Sequence, residues 1–165
     1  MIGHTLRELG FDKEIEISHV CVKAPVFPFL KLPGVDTILT PEMKSTGEVM
    51  GLAPDFGTAY YKAVLSAEGK FVEEGTAYIT VNDEDKPKVL PIVRELRKLG
   101  FNIVATKGTA SYLKGNGIEA ETVFTITERQ SPDALVLMRR GRIDLIINTP
   151  KPGGGPKRDG HVMRR

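Results

Sequence analysis

Four short apolar runs rich in β-forming residues, "AYITV", "FNIVA", "AETVFTI" and "IDLII", begin near residues 77, 101, 120 and 143, and helical patterns fill the intervals. Strands separated in this way cannot pair as tight hairpins. Each interval carries the chain back across the sheet, so the strands run parallel with helices on both faces. In "KPKVLPIVRELRKLG" the residues Val89, Ile92, Val93 and Leu96 fall on one helical face; "TASYLKGNG" and "SPDALVLMRRG" supply two more helices. Ahead of them, "DFGTAYYKAVLSAEG" reads as a helix with Asp55 as N-cap and Gly69 as stop. The expectation is an α/β domain with three layers over residues 56–165.

The first fifty-five residues follow no such period. "HVCVKAPVF" reads as one strand, interrupted by Pro25 and Pro28 as an edge strand is. "GHTLRELGF" resembles the end of a helix capped by Gly10. "PEMKSTGEVMG" matches neither helix nor strand and reads as a specialised loop. These pieces hold too little apolar surface to bury one another, so residues 1–55 are expected to be a fragment of a different domain.

Composition narrows the function. The chain has 165 residues, 41% hydrophobic and 27% charged, which are ordinary globular values. No run of eighteen apolar residues suggests a membrane span, and "MIGHTLRELGFDKEIEIS" lacks the pattern of a signal peptide. Cys21 stands alone, which points to a reducing cytoplasm, and its apolar surroundings suggest a small core residue. The net charge of +2 is uneven: residues 151–165 carry five cations against one acid. That tail has no aromatic residue to stack on bases, so a nucleic-acid partner is not expected. His4, His19 and His161 are scattered without metal-ligand spacing.

Open parallel sheets bind ligands beyond the carboxyl ends of their strands. Here those ends run into Asn82, Thr106, Thr127, Asn148 and Thr149, all polar and uncharged. In "VATKGTA" a strand ends at Thr106, Gly108 permits close backbone approach and Thr109 opens a helix. Helix-start N–H groups, two hydroxyls and the Lys107 ammonium suit a phosphate, although a threonine N-cap beside a solvated lysine explains the same residues. Lys86 follows the acidic turn "NDEDK" and opens a helix toward this rim. "NTPKPGGGPKRDG" is suited to cover an anionic ligand or to act as a flexible linker. No carboxylate falls on the rim positions, and Asp83, Glu84 and Asp85 read as solvent charges, so the rim looks built to bind.

"FPFLKLPGVDTILTPEMKSTGEVMG" resembles the end of the second ATP-grasp domain of the carbamoyl-phosphate synthase large subunit, and the segment from about residue 70 resembles that subunit's regulatory domain. The resemblance covers nearly the whole chain. It implies a methylglyoxal-synthase-like, Rossmann-like α/β domain over 56–165, truncated at its carboxyl end, preceded by an ATP-grasp remnant over 1–55. It also implies a cytoplasmic enzyme making carbamoyl phosphate for pyrimidine and arginine synthesis, with ATP and Mg²⁺ or Mn²⁺ bound outside this chain. The implied partners are the rest of the large subunit, the glutaminase small subunit and nucleotide effectors such as UMP or IMP, with no nucleic acid or membrane. By position the effector residues are Thr80, Lys86, Thr106, Lys107, Gly108, Thr109, Asn148 and Thr149. Thr125 stands where the family often has a lysine, and Ala24 where it commonly has a glutamate that helps hold ornithine. Both ends of the chain are expected to be cut.

Two other functions suit the same fold. One is a methylglyoxal synthase acting on dihydroxyacetone phosphate, which needs carboxylates at the site. The other is an interaction module without a ligand, its threonines serving only as caps.

Overall fold

The structure is a computed structural model and describes residues 3–29, 32, 35, 37, 39, 41–128, 130–149, 160 and 163. The chain forms two compact units, Met1–Lys31 with Met43–Phe71, and Leu32–Glu42 with Val72–Arg165.

The first unit is a hairpin with a helix on it. Strand β1 (Val20–Val26) pairs antiparallel with β2 (Gly47–Ala53), with Val20 opposite Ala53 and Val26 opposite Gly47. Alternation turns Val20, Val22, Ala24 and Val26 inward on β1, and Val49, Gly51 and Ala53 on β2. Helix α1 (Phe56–Glu68) packs against both strands through Ala59 and Ala63, which are fully buried. Gly51 makes the close approach possible: a Cβ there would collide with the Ala59 carbonyl oxygen and lie 2.7 Å from the Ala63 nitrogen. The helix ends are as the sequence suggests. The Asp55 carboxylate accepts from the Thr58 N–H and hydroxyl, and Gly69 takes the left-handed conformation at φ 75°.

Several expectations for this region change. The compact unit that holds the hairpin also takes in α1 and runs to Phe71, because α1 buries its small-residue face on the β1–β2 hairpin. Residues 47–51 of the expected loop belong to strand β2; within these five, two glycines and only two apolar residues, Val49 and Met50, hide the alternation from the sequence. "GHTLRELGF" forms a single turn. Thr5 and Glu8 bond each other's N–H groups at its start, and the N–H groups of Gly10 and Phe11 close back on Arg7 and Leu6 at its end. Cys21 is exposed, since alternation along β1 places it on the outer face opposite Leu52. Parts of the "FPFLKLPGVDTILTP" stretch, including Leu30, Lys31, Pro33 and Gly34, lie outside the described residues.

The second unit is the parallel α/β domain. Its sheet has the order β5 (Glu121–Val123), β4 (Asn102–Thr106), β3 (Thr76–Thr80), β6 (Leu145–Asn148), with all neighbours parallel. Helices α2 (Lys86–Lys98) and α3 (Lys107–Gly115) cover one face, where Ala77, Ile79, Ile103 and Ala105 pack with Val89, Val93 and Leu113. The short α4 (Ala134–Arg139) covers the other, where Tyr78, Val104 and Val123 pack with Ala134 and Leu137. This is the three-layer arrangement read from the spacing. One detail of α2 differs: Ile92 is 50% exposed and Leu90 packs inward in its place.

Candidate functional site at the carboxyl rim of the sheet

The sheet brings the expected residues to one edge. Thr80, Thr106 and Asn148 end β3, β4 and β6; Lys86 opens α2; Lys107, Gly108 and Thr109 form the first turn of α3; Thr149 follows β6. The strand order sets their sequence across the rim, with β4 and β3 at its centre.

The centre is cationic. The Lys86 side chain is only 16% exposed, and its Nζ lies 3.6 Å from where a Cβ on Gly108 would sit. Residues 86 and 108 thus meet across the β3–β4 pair. The first-turn N–H groups of α3 have no intrahelical acceptors, so donors and an ammonium converge beside an exposed glycine. Lys107 is exposed at the same turn. Thr106 sits at the N-cap position but makes no capping bond; its hydroxyl donates to the buried Thr109 hydroxyl at 3.3 Å.

The β6 side is a structural clamp. Thr149 donates its N–H to the Thr80 carbonyl, and its hydroxyl oxygen accepts from the Asn82 backbone and side-chain N–H groups at 3.1 and 3.2 Å. Asn82 is buried and its amide also donates to Asp85. Thr149 and Asn82 therefore tie β6 to the turn that launches α2. Asn148 is exposed, and a Cβ on Gly160 would lie 3.1 Å from its side-chain nitrogen.

Carboxylates also reach the rim, contrary to the reading of the strand ends alone. Asp83 pairs with Lys86 at 2.6 Å. Asp85 accepts from Lys88 and Asn82, and the Lys88 ammonium, then Thr149 and Asn82, hold its carboxyl below the ordinary value. Glu128 closes a 3₁₀ turn (Ile126–Glu128) after β5, where its Oε2 accepts the Thr125 N–H at 2.6 Å and hydroxyl at 2.8 Å. Those bonds, with the nearby charge of Lys107, lower its pKa. A Thr-x-x-Glu spacing is the signal that could have found this turn. The Thr127 side chain and the loop of residues 150–159 lie outside the described residues.

Among the described residues, no group of three or more His, Cys, Asp and Glu is placed to hold a metal, and no helix is long and apolar enough to cross a membrane. A separate groove of about 530 Å³ lies at the opposite, amino ends of the strands, lined in part by Arg97, Lys114, Glu121 and Arg142. It touches none of the rim residues.

The fold is that of a three-layer α/β domain, and residues 88–165 match the family model described as the MGS-like domain. The chain contains an MGS-like domain and, along its length, belongs with carbamoyl phosphate synthase large chains. It is 54% identical over 165 residues to the "Carbamoyl phosphate synthase large chain, C-terminal section" of Methanopyrus kandleri, covering 99% of this chain and 30% of the relative. It is 49% identical over 166 residues to the large chain of Archaeoglobus fulgidus, covering 100% of this chain and 15% of that protein. The corresponding C-terminal section of Methanocaldococcus jannaschii is 46% identical over 175 residues, covering 100% and 28%. The chain thus spans less than a third of the length of these relatives.

Proposed function

We propose that the MGS-like unit is the effector-binding part of a carbamoyl phosphate synthase large chain, and that it takes a nucleoside monophosphate of the UMP or IMP type at the carboxyl rim. The observation that carries this reading is the meeting of the Lys86 ammonium with Gly108 at the start of α3. A phosphate there would accept from first-turn N–H groups and from Lys86, while Asn148 and Thr80 border the space for the sugar and base. Glu128 is committed to Thr125, which suits an acceptor better than a proton shuttle.

In this reading the rest of the enzyme supplies catalysis. The ATP and Mg²⁺ or Mn²⁺ sites, the remainder of the large subunit and the glutaminase small subunit lie beyond this chain. Residues of the first unit are the end of an ATP-grasp domain, and the chain alone forms no carbamoyl phosphate. Effector binding tunes synthesis for the pyrimidine and arginine pathways in the cytoplasm.

Calorimetric titration with UMP and IMP tests the site. A charge-assisted hydrogen bond to phosphate contributes about 1.5–3 kcal/mol, so Lys86→Ala should weaken binding about ten- to a hundredfold. Lys114→Ala, at the amino-end groove, should leave it unchanged. Equal losses in the two variants, or loss only in Lys114→Ala, would move the ligand away from the rim.

A further inference from the structure

We propose that Glu128 makes the rim selective for a single phosphate group, so that nucleoside monophosphates are accepted and triphosphates disfavoured. This rests on the rim being the nucleotide site. Thr125 fixes the Glu128 carboxylate through two short bonds to one oxygen, Oε2. Among the described residues, Oε1 makes no hydrogen bond. Strand β5 pairs with β4 so that Val123 stands beside Thr106. The Thr125–Glu128 turn therefore neighbours the first turn of α3, and the two are close enough for the Lys107 charge to act on the carboxylate.

The rim is consequently polarised along the sheet. An anion stands on the β5 side, the cations Lys107 and Lys86 stand at β4 and β3, and uncharged Asn148 and Thr149 stand at β6. Asp83, on Lys86, adds a second anion near the centre. One phosphate between Lys86 and α3 would meet that ammonium and the first-turn N–H groups directly. A further phosphate that extends toward β5 would bring negative charge toward Glu128, and over less than about a Debye length, roughly 8–10 Å, such repulsion is little screened. Selectivity of this kind comes from repulsion built against the wrong ligand.

The test is calorimetric titration of the full chain with UMP and UTP, with EDTA present so that no divalent cation masks the triphosphate. The wild type should prefer UMP by about tenfold. Glu128→Gln keeps an oxygen for Thr125 but removes the charge. It should bring UTP to within about twofold of UMP while UMP affinity holds. An unchanged UMP-to-UTP ratio, with UMP still bound, overturns the inference and leaves the rim reading standing. Failure of either nucleotide to bind either protein overturns both. If Glu128→Gln folds poorly, the wild type alone decides: its preference should shrink as salt rises from about 0.05 to 0.5 M, and a constant preference refutes an electrostatic filter.

Discussion

Replacing Gly51 by alanine should unfold the first unit early while sparing the second. The added methyl would point at α1, meet the Ala59 carbonyl oxygen and lie 2.7 Å from the Ala63 nitrogen. Both neighbours are backbone, so no rotamer change makes room; the helix must move off the hairpin and loosen the buried Ala59 and Ala63. Overpacking against rigid atoms costs about 2–3 kcal/mol. In a unit of this size about 1 kcal/mol shifts the melting temperature by about 4–8 °C, so its transition should fall by about 10–20 °C. Gly47→Ala is the control: it lies in the same strand, nothing stands within 4 Å of its Cβ position, and the substitution should be neutral or stabilising by up to about 1 kcal/mol. Scanning calorimetry of both variants reads the result. Equal melting profiles for Gly51→Ala and Gly47→Ala would refute the packing of α1 on β2.

Three further outcomes follow from the same geometry. A chain beginning at Val72 should keep the parallel domain folded and aggregate less than one beginning at Gly57, which leaves α1 without its hairpin; light scattering and circular dichroism compare them. Val93→Ala should destabilise the second unit by about 1–3 kcal/mol while Ile92→Ala stays within about 0.5 kcal/mol, measured by urea unfolding, because only Val93 is buried. Asp55, held low first by the Thr58 N–H, Asp85 by Lys88 and Glu128 by the Thr125 N–H, all bind protons more readily when unfolded. Their stabilisation is complete above the ordinary carboxylate range and lost as pH falls through the depressed folded values, so the melting temperature should drop below about pH 4. A rise on acidification from about pH 5 to 3 would contradict this assignment.

The parallel domain was legible because its central strands, β3 and β4, bury most of their residues and so read as apolar runs. Tyr78, Ile79 and Val104 lie in those runs, and in the first unit Asp55 and Gly69 mark the ends of α1. What the sequence hid has physical causes. Strand β2 packs through Gly51 and Ala53, which carry almost no apolar signal, so the hairpin and its claim on α1 stayed invisible. Ile92 looks like a core residue by type, yet the helix face turns Leu90 inward instead. At the rim, strand ends located the residues, but not the pairing of Lys86 with Asp83 or the return of Glu128 onto Thr125. Those contacts depend on turns whose geometry spacing alone does not fix.

The most direct measurement is the amide ¹⁵N–¹H spectrum of the full chain during titration with UMP. Binding between Lys86 and the first turn of α3 predicts saturable shifts concentrated at Lys86 and at Lys107, Gly108 and Thr109, with Asn148 and Thr149 following. Amides around the amino-end groove, Asn102 and Glu121 among them, should stay still. Shifts confined to that groove, or none at the 107–109 turn at saturating UMP, would contradict the nucleotide site at the carboxyl rim.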